Sequence, residues 1–152
     1  MTTPIVRNLS PSATRILVAC VAAMRPRGSG FDQPIDDDVL HQVDEFLPHL
    51  PPLMRWGFPW GLRLLEWGPF LFARPRPWRR MSRLPRAEAE RYLEGWLEAG
   101  GLRGALLLGV RTLIFIAFYQ HPDVLASLGV DWSGRARALT AQRAELLSGK
   151  QP

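Results

Sequence analysis

Three histidines, His41, His49 and His121, are the side chains of this sequence whose charge changes near neutral pH. Glu45 follows His41 by four residues, a spacing that places both side chains on one face of a helix. The same spacing suits a metal clamp or an ordinary surface pair. A di-metal site, however, needs a second helix that carries a histidine motif, and the sequence has none. We therefore predict surface pairing for His41 and Glu45 and no metal site.

The remaining candidate groups give little support for catalysis. Cys20 is the only cysteine, which excludes an intramolecular disulfide, and its place on an apolar helical face predicts a small buried side chain. His121 stands before Pro122 and is expected to begin a helix or to pack on Tyr119. No serine lies in a nucleophile elbow, and no glycine-rich loop suits a phosphate or dinucleotide. We predict that this chain has no catalytic residue, binds no cofactor and is no enzyme by itself.

Arginine and tryptophan are concentrated in the middle of the chain. The formal net charge of +5 comes almost wholly from arginine, because Lys150 is the only lysine. Residues 74–86 form an Arg/Pro-rich connector with no acidic residue. This connector is either a solvated linker, a strap that pairs with carboxylates of a partner, or a contact for nucleic acid or anionic lipid. We expect no nucleic-acid binding, because that usually draws on both basic residue types. Tryptophan and arginine are typical of binding hot spots, and the predicted partner-binding residues are Trp56, Trp60, Trp67, Trp78, Arg79 and Arg80.

Helix-start signals and helical spacing of apolar residues recur along the chain. Ser10-Pro11, Pro34 with three following aspartates, and Pro85 are each typical of a helix start. No alternating pattern indicates a strand of useful length. We therefore predict an all-α protein that forms a single compact domain, residues 1–152, of about six to eight short helices.

Three helical segments carry specific expectations. Residues 53–72 are apolar nearly all round, which predicts a core or interface helix that Pro59 and Pro69 split or kink. Residues 102–120 are predicted to form the most buried helix, and residues 135–147 a last amphipathic helix with Leu139, Ala141 and Leu146 on its apolar side. The inward residues expected of the helix over 102–120 are Leu106, Leu107, Val110, Leu113, Ile114, Ala117 and Phe118.

No convincing targeting or membrane segment is predicted. The apolar stretch 16–24 starts far from the N-terminus for a signal peptide. The longest apolar run, residues 105–118, is interrupted by Arg111 and is shorter than the ~20 residues that cross a bilayer. We expect a cytoplasmic protein, or one peripheral to the inner membrane.

The C-terminal half contains an ordered series of short motifs. They are Leu84-Pro85, Glu90-Arg91-Tyr92-Leu93, Trp96, Arg103, Phe118-Tyr119, His121-Pro122, Val124 and Leu128-Gly129-Val130-Asp131. Each motif is soft by itself, but in their order and spacing they resemble the small helical subunit of gluconate 2-dehydrogenase, the subunit 3 family. The resemblance extends to Leu9-Ser10 and to residues 53–72, and the chain is also similar to the helical N-terminal segment of long-chain alcohol oxidases.

The resemblance implies a non-catalytic accessory subunit. Such a subunit binds and stabilises an FAD-dependent oxidoreductase of the GMC (glucose–methanol–choline) family, and the FAD belongs to the partner. The chain departs from the exported members in having no twin-arginine leader, and Val130-Asp131-Trp132 stands where a tyrosine-containing glycine–proline turn is common. The alternative is a peripheral membrane or lipid-associated module that uses the aromatic helix and the Arg-rich connector.

Overall fold

A computed structural model describes residues 7–25, 33–72, 79–130 and 132–147, and within these ranges it contains helices and no β-strand. Two short 3₁₀ turns, Leu47–His49 and Met81–Arg83, accompany seven α-helices. The predicted all-α class and the predicted number of helices are confirmed. The α-helices are α1 Pro11–Met24, α2 Asp36–Phe46, α3 Pro52–Phe72, α4 Arg86–Glu98, α5 Gly101–Gln120, α6 Pro122–Ser127 and α7 Trp132–Leu147.

Helix α1 forms the centre of the fold. It begins as the sequence predicts, because the Ser10 hydroxyl accepts the N–H of Ala13 at 3.3 Å and Pro11 occupies the first turn. Seven of its fourteen residues are buried, among them Leu17 and Cys20. Helices α2, α3, α4 and α5 all contact it. The core therefore lies around α1.

Helix α2 holds the segment that precedes α1 through a buried carboxylate. Three aspartates occupy its first turn, where the positive end of the helix dipole stabilises their negative charges. Asp44, near its other end, is buried and accepts the backbone N–H groups of Arg7 at 2.8 Å and Asn8 at 3.0 Å. These bonds fix residues 7–9 against α2 and set the direction in which α1 begins.

Helix α3 runs without interruption through both of its internal prolines, so of the predicted split or kink at Pro59 and Pro69 the split is wrong and the kink stays a prediction. Pro69 has no N–H, which leaves the carbonyl of Leu65 without its helical donor. The Tyr92 hydroxyl, on α4, donates to that carbonyl at 3.0 Å. Gly68 makes room for this approach, because a Cβ there would overlap the Tyr92 hydroxyl oxygen and lie 2.7 Å from the Trp96 ring. A donor from α4 thus replaces the bond that proline removes.

Helix α5 has the predicted inward side but is not the most buried helix. Leu107, Val110, Ile114, Ala117 and Phe118 are buried, and Leu106 and Leu113 pack against the core. Only 28 % of its 18-residue apolar window is buried. The prediction that α5 is the most buried helix is wrong, because many of its apolar residues lie on its exposed outer side.

By length and composition alone, α5 could also cross a membrane, and within the described residues it is the one helix that could. The sequence had suggested that the apolar run 105–118 is too short to span a bilayer. The helix that contains this run covers 20 residues, which is long enough. This test is weak support by itself, since core helices of water-soluble proteins also pass it.

The two C-terminal helices differ in how well the sequence foretold them. His121 begins α6 as expected, because its Nδ1 accepts the N–H of Asp123 at 3.3 Å. Its Nε2 lies 3.5 Å from a carboxylate oxygen of Asp38, which ties α6 to α2. On α7 two of the three residues expected on its apolar side, Leu139 and Ala141, are exposed, and the Leu146 side chain lies outside the described part of the chain.

The close contact at Gly68 gives a matched pair of glycine substitutions in one helix. We expect Gly68→Ala to lower the free energy of unfolding by about 1–3 kcal/mol, because its Cβ displaces Tyr92 and Trp96. A Cβ at Gly57 would meet no atom within 4 Å, so Gly57→Ala should raise stability by about 0.5–1 kcal/mol through helix propensity. Urea unfolding measures both. Equal effects of the two substitutions would contradict the proposed packing.

Candidate interaction surface

The outward side of α3 carries large apolar side chains that are exposed. Trp56, Trp60 and Trp67 are 72 %, 62 % and 49 % exposed. The α-helical repeat places residues three or four apart on one side, so these side chains form a continuous stripe. The α3 outer face, as defined here, consists of Leu53, Trp56, Trp60, Leu64, Trp67 and Leu71, all exposed.

Two arginines lie over the tryptophan rings of this face. The guanidinium carbon of Arg63 is 4.9 Å from the Trp60 ring, and that of Arg80 is 4.5 Å from the Trp67 ring. A guanidinium over a π face is attracted to it, and the contact holds both side chains in a defined orientation. Arg79 is exposed beside Arg80. The α3 outer face is therefore partly ordered before any partner binds.

The segment that carries this face has charge of almost one sign. Between residues 46 and 87 the sequence contains eight arginines and a single acidic residue, Glu66. Glu66 points away from the α3 outer face and is 4 % exposed. This stretch of chain thus has no exposed acidic residue of its own, and the charged side chains placed at the face, Arg63 and Arg80, give it a positive rim.

Glu66 fixes the 3₁₀ turn Met81–Arg83 onto α3. Its carboxylate accepts the backbone N–H of Ser82 at 2.9 Å and the Ser82 hydroxyl at 2.7 Å. Met81, next to it, is fully buried in the core. These contacts anchor the chain directly after Arg80 and hold that arginine beside Trp67. The predicted connector 74–86 therefore ends in a structural anchor, which none of its predicted roles included.

Helices α3 and α5 meet beside this face. Leu106 of α5 packs on Gly61, whose missing side chain lets the helices approach: a Cβ at Gly61 would lie 3.2 Å from Leu106 Cγ. The outer side of α5 carries no charged residue between Leu102 and Tyr119. The α5 outer face, as defined here, consists of Leu102, Ala105, Leu108, Thr112, Ile116 and Tyr119, all exposed.

The groups that could do chemistry lie apart from these surfaces. His41 Nε2 is 3.3 Å from Glu45 on the exposed side of α2, as the predicted surface pair requires. The described residues contain no group of three or more His, Cys, Asp or Glu able to hold a metal. Cys20 is fully buried, as predicted, and burial together with the nearby Glu66 charge raises the pKa of its thiol to about 12. Its thiolate is therefore scarce at neutral pH.

Five of the six predicted partner-binding residues can be placed in the structure. Trp56, Trp60 and Trp67 share the α3 outer face, and the 3₁₀ turn brings Arg80 to it with Arg79 alongside. Trp78 lies outside the described residues. Sequence reasoning missed the leucines of the face and Arg63, although their spacing of three, four or seven residues from the tryptophans could have indicated them.

It also missed the α5 outer face. The predicted inward residues are little more than half of the apolar residues of α5, and the other apolar residues could have indicated an apolar outer face.

No protein-family model matches this chain, and no curated protein and no solved structure matches it either. The family resemblance of its motifs stays a prediction. What the α3 outer face binds is inferred from its own composition and geometry.

The anchor at Glu66 is tested by Ser82→Ala. The substitution removes the 2.7 Å hydrogen bond to a buried carboxylate, so we expect a loss of about 1.5–3 kcal/mol in the free energy of unfolding. Ser127→Ala is the matched control, because the Ser127 hydroxyl bonds an uncharged carbonyl at an exposed position and should matter less. A Ser82→Ala protein as stable as the control would show that the anchor contributes nothing.

The buried thiol gives a pH prediction. Because the pKa of Cys20 is raised in the folded protein to about 12, the folded state disfavours the thiolate. The stabilisation by the neutral thiol is complete below the ordinary thiol pKa and is lost as pH rises toward 12. At pH near 8, a thiol-reactive disulfide reagent should leave Cys20 unmodified in the native protein and titrate one thiol per chain in guanidinium. Rapid modification of the native protein would contradict this burial.

Proposed function

We propose that this chain is a non-catalytic accessory subunit that docks on a larger protein through the α3 outer face. The observation that carries the proposal is the size of that face. With roughly 150–250 Å² for each fully exposed side chain of this size, its six residues expose on the order of 800 Å². The largest apolar patch on a typical monomer is about 300–600 Å², and a standard protein interface buries about 800 Å² per partner.

The residue types of the face support a protein as the occupant. Tryptophan and arginine are the side chains that most often dominate binding energy, and here two of three tryptophans already carry a stacked arginine. A stacked guanidinium keeps donors free at its edge, which suits bidentate pairing with a carboxylate. The partner surface should therefore combine apolar pockets with acidic side chains around them.

The nature of the partner comes from the resemblance of the C-terminal motifs. We propose a GMC-family FAD-dependent oxidoreductase that acts on an alcohol, a sugar or a lipid alcohol, with FAD bound by that partner. The accessory subunit acts on the folding equilibrium: a protein that binds only the folded flavoprotein lowers the free energy of that state. It need contribute no side chain to the reaction.

Co-expression with a GMC-family oxidoreductase encoded beside this chain tests the proposal. The two proteins should co-purify, and Trp60→Ala should weaken the complex by about 2 kcal/mol or more, roughly thirtyfold in Kd. Trp60 is 62 % exposed, so the variant should keep the stability of the unaltered chain. Binding is measured by calorimetry and folding by urea unfolding.

Leu139→Ala is the matched control, since it also removes an exposed apolar side chain from a helix but lies outside the α3 outer face. It should bind as tightly as the unaltered chain. A flavoprotein that purifies alone, fully loaded with FAD and equally stable, would refute the accessory role. Equal weakening by both substitutions would refute the assignment of the α3 outer face.

A further inference from the structure

We infer that the cleft between α1, α4 and α5 binds a small zwitterion with an aliphatic side chain, of the chemical class of the free α-amino acids. The cleft has a volume of about 260 Å³. An enclosed apolar cavity of about 150 Å³ already holds benzene, so this volume suits a ligand of roughly nine non-hydrogen atoms, such as leucine. None of the lining residues belongs to the α3 outer face or the α5 outer face, and the inference does not depend on the accessory role proposed above.

The floor of the cleft is apolar. Ala23 of α1, Leu93 of α4 and Leu107 of α5 are buried there, and Leu97 is half-buried. Leu93 and Leu97 are four residues apart, which places them on the same side of α4. An aliphatic group that rests on these side chains leaves water at a gain in free energy. The floor therefore favours a ligand with an aliphatic group over a bare ion.

Four charged side chains line the cleft, and two of them are already paired by the chain itself. The Arg25 guanidinium lies 3.4 Å from a carboxylate oxygen of Asp36 and also donates to the backbone carbonyl of Gln33. The Glu90 carboxylate accepts the Nε–H of Arg86 at 3.0 Å. These contacts offset one positive and one negative charge of the lining.

The other two charges, those of Arg111 and Glu94, are opposite in sign. Arg111 is half-buried on the inner side of α5, with its guanidinium carbon 4.8 Å from the Phe115 ring, and Glu94 is exposed on α4. Neither side chain forms an ion pair with the other or with any residue that the structure describes. A guanidinium binds a carboxylate through two parallel hydrogen bonds, and a carboxylate accepts from an ammonium group. A ligand that carries both groups would pair both side chains at once.

The walls of the cleft differ in charge, which favours a zwitterion over an ion of either sign. Helix α5 contributes Arg111, whereas α4 contributes Glu90 and Glu94. The cleft also borders the C-terminal end of α1 at Met24, where the negative end of the helix dipole favours a cation. An anionic ligand would meet the two carboxylates of α4, and a purely cationic ligand would leave Arg111 without a carboxylate. A zwitterion places its ammonium group toward α4 and its carboxylate toward Arg111.

NMR titration of the isotope-labelled full chain tests the inference without any substitution. L-leucine should bind with a Kd of about 1 mM, the weak range expected for so small a ligand. Leucinamide lacks the carboxylate and 4-methylpentanoate lacks the ammonium group, so each should bind about tenfold more weakly or worse. Glycine lacks the aliphatic group and should also bind more weakly. The shifted amide signals should belong to residues 90–97 and 107–111, and those of the α3 outer face should stay in place.

Two exposed glutamates of α4 provide matched variants. Glu94→Gln should weaken leucine binding about tenfold, because it removes the charge that pairs with the ammonium group. Glu98→Gln lies one turn further along α4 and outside the cleft, so it should bind leucine like the unaltered chain. Arg111→Gln should weaken the binding of leucine but not that of leucinamide, which has no carboxylate. Urea unfolding checks that each variant is folded.

Several outcomes would overturn the inference. One is the absence of amide shifts at leucine concentrations well above the expected Kd. Leucinamide that binds as tightly as leucine would assign the cleft to a cation, such as the N-terminus of a peptide, and equally tight 4-methylpentanoate would assign it to an anion. Equal weakening by Glu94→Gln and Glu98→Gln would place the ammonium contact outside the cleft.

Discussion

The packing of this fold depends on the backbone carbonyl of Leu65, which has no hydrogen-bond donor within its own helix. Pro69 deprives Leu65 of its helical hydrogen bond near the centre of the molecule, where an unpaired carbonyl is unfavourable by about 1–3 kcal/mol. The Tyr92 hydroxyl supplies the missing donor from α4, and Gly68 leaves the space that it needs. This contact ties α3 to α4. Leu62, Leu65 and Glu66 of α3 lie inward, and the opposite side, with its tryptophans, faces solvent. The same burial raises the pKa of Tyr92 above its usual range, so the hydroxyl remains a donor over the whole physiological range of pH.

The buried carboxylates explain why so much positive charge remains at the surface. Asp44 and Glu66 are both nearly inaccessible. Asp44 accepts the backbone N–H groups of Arg7 and Asn8 and the Asn8 side-chain amide, and Glu66 accepts the backbone N–H and the hydroxyl of Ser82. No arginine of the described residues pairs with either carboxylate. Both carboxylates join segments distant in sequence, residues 7–8 to α2 and residue 82 to α3. Interior negative charge is thus used for chain connection, and none of the described arginines of residues 46–87 is buried. The α3 outer face consequently borders on the positive charge of Arg63 and Arg80.

Local signals predicted the helices, whereas contacts between distant residues were out of reach. Ser10-Pro11, the three aspartates of α2 and His121-Pro122 act within a single turn, so their positions could be inferred from neighbouring residues. Periodicity likewise identified the inward residues of α5. It could not tell that the other apolar residues of α5 face outward, because a pattern that is apolar on several sides does not state which of them is covered. The continuity of α3 depends on Tyr92, and the anchor of the 3₁₀ turn depends on Glu66. Neither partnership follows from spacing along the chain. Helix α7 was predicted from its periodicity too, and the two described residues of its expected apolar side, Leu139 and Ala141, are exposed.

The one-sided charge around the α3 outer face has a consequence for the colloidal behaviour of the free chain. An apolar surface of this size would ordinarily make separate molecules adhere. With a net charge of +5 and arginines around the exposed rings, two copies that approach through these surfaces repel each other. Dissolved salt shortens the range of that repulsion to about 8–10 Å near physiological ionic strength and leaves the apolar attraction intact. Solubility of the uncombined protein is therefore greatest in dilute buffers, and concentrated salt turns the same rings into a surface for precipitation.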